Sequence, residues 1–227
     1  MEDNSANEKK LIFHKSKNQS KGNKNDGRIF LSTCNSEPSA TIGWQSSEVA
    51  LWGIKEGYKN AADCLVEIVL NEENENNIRL LDTYIFPTMF LYRQSLEVSL
   101  KLIFYRGFNK IACGGHNLSK LWEQIYQKIV LDMIQNDEFI EKVREYKGNL
   151  IKYSVDDIDF NKIKAVLTEI QSIDKKSDVF RYMIDNNGKP YMNKNIFINY
   201  LNLRKVMDEL YSIFDYMYEI IDEYLSG

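Results

Sequence analysis

The pattern of apolar and polar positions changes at about residue 46 of this 227-residue chain. From there on, apolar side chains recur every three or four residues, the spacing that places them on one face of an α-helix. The clearest stretch runs from Leu203 to Tyr224, with steps of 3, 1, 3, 3, 1, 3, 3, 1 and 3. A hairpin around Asn187-Gly188 is the only candidate for β structure. The pattern therefore predicts an all-α protein.

Three helices are predicted in the first half of this region. The first ends at the polar run 71–77, and the second covers 78–106 and stops at Gly107. Because Pro87 lies inside the second helix, it either kinks this helix or marks its true start. A third helix opens at residue 118, where apolar side chains again follow in steps of three and four.

Shorter helices are predicted before the final one. A short helix over 139–146 is ended by Gly148, and another covers 158–170 after acidic residues that suit a helix N-terminus. The segment 174–196 contains turn residues and is predicted to be a loop. Together these elements predict an antiparallel bundle of about five helices in one domain, residues 44–227.

The first 43 residues differ from the rest. Residues 9–28 carry seven Lys or Arg and one Asp, a net charge of +6, and few apolar side chains. Such a composition cannot bury enough surface to offset the entropy of ordering, so residues 1–43 are predicted to be a largely disordered basic arm. The arm is either a solubilising tail or a contact for RNA, DNA or an acidic partner.

Composition narrows the class of protein. The chain is 44% hydrophobic, has a net charge of −4, and contains three scattered cysteines and two histidines. These values predict one sizeable core, a reducing cytoplasmic location and no membrane span or membrane partner. Common phosphate-loop, dinucleotide and hydrolase motifs are missing, so no cofactor and no His-based metal centre are expected; a carboxylate-only metal site stays open.

Three charged residues define the first candidate site. Arg93, Glu97 and Lys101 lie four residues apart, so they share one stripe of the second helix. They are either a solvated salt-bridge ladder or, because the helix is apolar on much of its circumference, a buried strut or one wall of an anion site.

Two further places carry candidate chemistry. His116 precedes Asn117, a good N-cap residue, so its imidazole is expected beside free N–H groups where anions bind. It is either an acid or base near neutral pH or a packing residue. Arg181 and Tyr182 lie in the predicted loop and either fasten that loop or bind a phosphate and a base.

The motifs together resemble the HEPN superfamily of small helical domains. The resemblance covers about residues 46–225 and consists of YKNAADCLVEIVL, RQSLEVSLK, GHNLSKL, a late FRYMID segment and a long closing helix. It implies a bundle of four or five helices, frequent dimerisation, and roles in toxin–antitoxin, phage-defence and RNA-processing systems. Catalytic members are metal-independent RNases with an Arg-x4-6-His motif. Here Arg106 stands ten residues before His116, so that motif is absent.

Two functions follow from this resemblance. The first is a non-catalytic module that binds a nucleotide, RNA or protein partner through Arg93, Lys101, His116, Asn117, Arg181 and Tyr182. The second is a divergent endoribonuclease toxin in which His116 acts as acid or base beside Glu97, with Arg93 or Arg181 stabilising the phosphate. A homodimer is expected, with the tyrosines of the last helix as its surface: Tyr211, Tyr216, Tyr218 and Tyr224.

Overall fold

The chain divides between Ile42 and Gly43 into two units, and all helices described below belong to the second. The computed structural model describes residues 29, 38–71, 76–136, 138 and 158–226. Most of the predicted basic arm and the predicted helix at 139–146 lie outside these residues. The named helical segments are α1 (Ser47–Leu70), α2 (Ile78–Phe108), α3 (Leu118–Ile125), a π-helical turn (Tyr126–Val130), α4 (Leu131–Gln135), α5 (Phe160–Ile173), α6 (Val179–Tyr182) and α7 (Tyr200–Ser226).

The prediction of an all-α protein is confirmed. Within the described ranges, β structure is limited to one antiparallel bridge between Ile184 and Pro190, which closes the turn at Asn187-Gly188. The predicted boundaries of α2 need two corrections. Its helix continues through Pro87 without restarting, and it ends at Phe108 rather than at Gly107. The stop comes from Asn109, which takes the left-handed conformation (φ 49°) that ends many helices.

The three long helices are held by contacts that fix their directions. Ser95 of α2 donates to the Lys55 carbonyl (3.1 Å) while Tyr92 reaches Asp63, so α1 and α2 are antiparallel. Ion pairs and hydrogen bonds from α1 to α7 also run in opposite directions along the two helices. It follows that α2 and α7 run parallel. The arrangement of about five helices in one antiparallel bundle stays a prediction.

The core lies where α2, α3, α5 and α7 meet. Trp122 of α3 is 1% exposed, and its ring lies 6.1 Å from that of Phe214 in α7 and 6.4 Å from that of Phe160 in α5. The apolar stripe predicted for the last helix packs into this core. The same packing brings the start of α3 and the segment after α5 against the middle of α2, where the candidate site lies.

Candidate functional site

The charged stripe of α2 is buried. Arg93 is 0% exposed and Glu97 is 2% exposed, while the Lys101 side chain is mostly buried. The first of the predicted alternatives, a solvated salt-bridge ladder, is therefore wrong. Buried charges persist only with good partners, because removing them from water costs several kcal/mol per ion.

The Arg93 guanidinium binds groups of the protein itself. Nη1 lies 3.1 Å from Glu97 Oε2, and Nη2 donates to the backbone carbonyls of His116 (2.6 Å) and Asp174 (3.4 Å). Nε lies 3.3 Å from Asp174 Oδ2, an ion pair that lacks the alignment of a hydrogen bond. With its nitrogens on these groups, Arg93 does not reach solvent. It fixes the loop before α3 and the segment after α5 to α2.

Asp174 is a site residue that sequence reasoning missed. Its side chain is 0% exposed, and its Oδ1 accepts from the backbone N–H groups of Asp178 (2.8 Å) and Val179 (3.2 Å). It thus caps the start of α6 while its other oxygen faces Arg93. The only signal in the sequence was its place before a short apolar stretch, which is too weak to predict a charge partner in α2.

Glu97 is the common acceptor of the site. Its Oε1 accepts from Lys101 Nζ at 2.7 Å and lies 2.9 Å from His116 Nδ1, while Oε2 faces Arg93. Burial by itself raises the pKa of Glu97, but the hydrogen bond and charge of Lys101, together with His116, outweigh burial and hold this pKa below its ordinary value. The carboxylate is therefore ionised and serves as a fixed anchor for the imidazole.

His116 is the member of this group that opens to solvent. Its side chain is 62% exposed, in contrast to 3% for Glu97. Because Nδ1 faces Glu97, Nε2 lies on the opposite side of the ring. Arg93 and His116 thus both contact Glu97, and the imidazole is the exposed end of this group.

Some of the backbone N–H groups at the start of α3, beside His116, already donate to side chains of the protein. The Asn117 side chain accepts from Lys120 N (2.9 Å), and Gln171 of α5 accepts from Leu118 N (2.8 Å). Two of the first N–H groups of α3 are thus satisfied within the protein. Asn117 works as the N-cap that its residue type predicted.

Arg181 and Tyr182 lie in the four-residue helix α6, not in the loop that the sequence predicted. Arg181 Nε donates to Ser177 O at 2.6 Å, its Nη2 pairs with Asp178, and its guanidinium lies 5.8 Å from the Phe90 ring. These contacts fasten α6 to the residues just before it and to α2, and they do not involve His116. Tyr182 is 61% exposed.

A second charged cluster joins α1 to α7, and sequence reasoning missed it as well. Lys55 is 1% exposed and pairs with Asp215, while Lys59 is 6% exposed and pairs with Asp63 (2.7 Å) and Asp208 (2.5 Å). The sequence does place Lys55, Lys59 and Asp63 at four-residue steps, which indicates a charged stripe on α1. Facing carboxylates from another helix were needed to show that both lysines are buried.

Three of the four tyrosines expected at a dimer surface are buried or hydrogen-bonded within the chain. Tyr211 donates to Glu56 and Tyr218 donates to Glu48 (2.9 Å), both on α1, and Tyr216 is 6% exposed. Burial and the neighbouring carboxylates raise the pKa of Tyr211 and of Tyr218. These three side chains fix α7 to its own chain.

Two further properties concern the described residues. Within 38–71, 76–136 and 158–226, no group of three or more His, Cys, Asp or Glu side chains is arranged to hold a metal. No helix in the described part of the chain combines the length and apolar character needed to cross a bilayer.

Comparison with known proteins assigns no relative. No family model, no curated protein and no solved structure matches the chain. The resemblance to HEPN domains therefore remains a prediction from the motifs.

Proposed function

We propose that this protein is a HEPN-like helical module that binds a phosphate group of RNA or of a nucleotide at the exposed imidazole of His116. A bacterial defence or toxin–antitoxin setting is the context that the motifs favour. The observation that carries the proposal is the fixed imidazole. Glu97 holds Nδ1, Arg93 holds the backbone carbonyl of the same residue, and the side chain of His116 is 62% exposed.

The charge around His116 supports an anionic ligand. Residues 101–120 contain four Lys or Arg and no Asp or Glu, but Lys101 is paired with Glu97 and Arg106 with Asp222, which leaves Lys110 and Lys120. Lys110 and Lys120 of this stretch are exposed, and so are Lys175 and Lys176 after α5. A local basic surface of this kind attracts phosphates by long-range electrostatics and makes binding depend on salt.

Binding of a labelled single-stranded RNA and of ATP to the full chain tests this proposal. Fluorescence anisotropy for RNA and calorimetry for ATP would be run with the parent protein, His116→Ala and the control His14→Ala. Since a charge-assisted hydrogen bond contributes roughly 1.5–3 kcal/mol, His116→Ala is expected to weaken binding at least about tenfold while His14→Ala does not. Equal affinity of all three proteins, or no binding by the parent, overturns the proposal.

A divergent, metal-independent RNase is the second candidate. The Glu97–His116 pair favours it, because a carboxylate on Nδ1 orients Nε2 for proton transfer. Arg93 is buried and cannot contact the scissile phosphate without a rearrangement, so this role would pass to an exposed cation. Incubation of the parent and His116→Ala with RNA in EDTA separates the two candidates. Cleavage by the parent alone supports the enzyme, and binding without cleavage supports the module.

A further inference from the structure

The loop that carries His116 is attached to the rest of the protein on both sides of this residue. On the following side, Arg93 donates to the His116 carbonyl at 2.6 Å, and the Gln171 side chain accepts from Leu118 N at 2.8 Å. Both of these side chains are buried and belong to the packing of the bundle. On the preceding side, the loop is held by Gln124 of α3, a residue that the proposed phosphate site does not include.

Gln124 binds the backbone of Cys113 through both ends of its side-chain amide. Its Oε1 accepts from Cys113 N at 3.0 Å, and its Nε2 donates to the Cys113 carbonyl and, at 3.0 Å, to the carbonyl of Lys120. Because an N–H can bind only the amide oxygen and a carbonyl only the amide nitrogen, these contacts allow one orientation of the side chain. Gln124 therefore fixes residue 113 to the second turn of α3.

Two glycines, Gly114 and Gly115, connect Cys113 to His116. Gly114 has a φ of +133°, which glycine adopts and other residues do not, and a Cβ at this position would lie 3.2 Å from Lys120 Cβ. Gly115 has a φ of +60°, in the left-handed region that other residues enter at a modest cost, and nothing lies within 4 Å of a Cβ there. With residue 113 fixed, this tight turn determines where His116 begins.

We propose that Gln124 is a positioning residue of the phosphate site: by holding Cys113 against α3, it sets the turn 113–116 and, with it, the place of the His116 imidazole. This inference rests on the proposed function, because it names a residue that serves the same site without contacting the ligand. A turn that is ordered before binding does not have to be ordered by the ligand, and this lowers the entropic cost of binding.

Gln124→Met tests this role. Methionine has nearly the same length but lacks the amide, so the N–H and the carbonyl of Cys113 lose their partner. The ligand must then order the turn, and the affinity for a labelled single-stranded RNA, measured by fluorescence anisotropy on the full chain, is expected to fall roughly threefold to tenfold. Gln127→Met is the matched control. Gln127 is exposed and donates to Glu123 at 3.1 Å, so this variant should bind RNA like the parent.

A second measurement observes the imidazole directly and needs no ligand. The chain contains two histidines, so the NMR signal of the His14 ring serves as an internal reference for that of His116. Gln124→Met is expected to shift the Hε1 signal of His116 and to leave that of His14 in place. Its urea midpoint should stay close to that of the parent, because Gln124 is only partly buried and its contacts are local. A merely structural role would lower the midpoint and leave the His116 signal of the folded protein unchanged.

The turn itself is tested by Gly114→Ala and Gly115→Ala. Gly114→Ala should weaken RNA binding and shift the His116 signal as Gln124→Met does, because alanine cannot adopt this φ. Gly115→Ala should have the smaller effect on both, since its φ is accessible to alanine and the space around it is open. Equal effects of the two substitutions would contradict the role of the turn.

The failure of this inference differs from the failure of the proposed function. If His116→Ala weakens RNA binding but Gln124→Met leaves either the affinity or the His116 signal unchanged, the positioning role is overturned and the proposed function stands. RNA binding that His116→Ala leaves unchanged overturns the proposed function. The His116 signal then still decides whether Gln124 positions the imidazole.

Discussion

At the residue scale, the decisive feature is the sharing of one buried carboxylate by three cationic or polar neighbours. The Glu97 carboxylate contacts Arg93, Lys101 and His116. Asp174 is a second carboxylate that forms an ion pair with Arg93. Removing one partner of a buried pair typically costs about 3–5 kcal/mol, whereas an exposed pair contributes about 0–1 kcal/mol. The proposed phosphate site is therefore rigid because of its buried part, although ligand contact falls to the exposed imidazole.

Glu97→Gln should destabilise the protein in a pH-dependent way. The folded-state pKa of Glu97 is lowered from its ordinary value of 4.5, so its contribution is present above that value and is lost as pH falls through the folded pKa. The free energy of unfolding, measured by urea titration, should be lower in the variant by roughly 2–4 kcal/mol at pH 7, less than the full loss of a pair because the amide retains some hydrogen bonding. This difference should shrink as pH falls below 4.5.

The control for this experiment is Glu67→Gln. The Glu67 side chain is 61% exposed and pairs with Arg204 at 3.0 Å, so its loss should change stability by less than about 1 kcal/mol. A difference between Glu97→Gln and the parent that stays constant from neutral to acid pH would contradict the buried ion network.

At the element scale, α2 is the helix that organises the site and also carries the least favourable residue. Pro87 lies at its tenth position, so the Thr83 carbonyl lacks its usual backbone donor. Small residues elsewhere in α2 offset this by allowing close packing, as where Ser95 donates to the Lys55 carbonyl. The helix is continuous because its apolar faces pack on α1, α3 and α7, and tertiary packing routinely overrides local propensity.

Pro87→Ala should stabilise the protein. Pro87 is exposed, so the substitution opens no cavity, and it restores a backbone N–H for the Thr83 carbonyl. The expected gain in free energy of unfolding is roughly 1–3 kcal/mol, less than the full helix-interior penalty because proline also restricts the unfolded chain. Thermal and urea unfolding measure it.

Pro190→Ala serves as the comparison. This proline lies in the turn that the Ile184–Pro190 bridge closes and interrupts no helix. Its replacement should give no gain in stability. An equal gain from both substitutions would mean that the helix at Pro87 carries no local cost.

At the scale of the whole molecule, the core belongs to the unit Gly43–Gly227. The buried apolar cluster extends from Ala62 to Ile221, and buried lysines of α1 add ion pairs that fix α1 to α7. Residues up to Ile42 form the other unit. The fold of the helical unit is therefore expected to be independent of the basic segment.

A fragment of residues 43–227 should unfold with the same free energy as the full chain. The expected difference is within about 0.5 kcal/mol, the usual range for changes away from the core. Circular dichroism during urea unfolding measures it. A shorter fragment that begins at residue 60 and loses Lys55 and Lys59 should not fold cooperatively, and its folding would contradict the importance of the α1–α7 contacts.

Much of the architecture followed from local pattern. Apolar residues in steps of three and four predicted α1, α2, the α3 region, α5 and α7, because the buried face of an amphipathic helix consists of residues at this spacing. Local chemistry was less reliable where packing overrode it: Pro87 did not restart α2, and the segment around Arg181 became a short helix instead of a loop.

The candidate site was predictable only in part. The stripe of Arg93, Glu97 and Lys101 came from spacing, and His116 was a candidate because of its place before Asn117, but its exposure came only from the structure. Asp174, Lys55 and Lys59 were missed, because their burial depends on partners in distant parts of the chain. Ser177, which accepts a hydrogen bond from Gln94 at 2.6 Å, is another such partner that no local pattern indicated.

The sequence by itself determined the helical class, the faces that turn inward and the stripe on which the candidate charges lie, since periodicity is a property of neighbouring residues. Only the tertiary structure decided which charges lose contact with water. Arg93 contacts Asp174, which lies 81 positions further along the chain. The cost of burying each of these charges is offset only when the opposite charge is buried beside it. That pairing makes Arg93 an internal support and leaves His116 as the exposed member of the group.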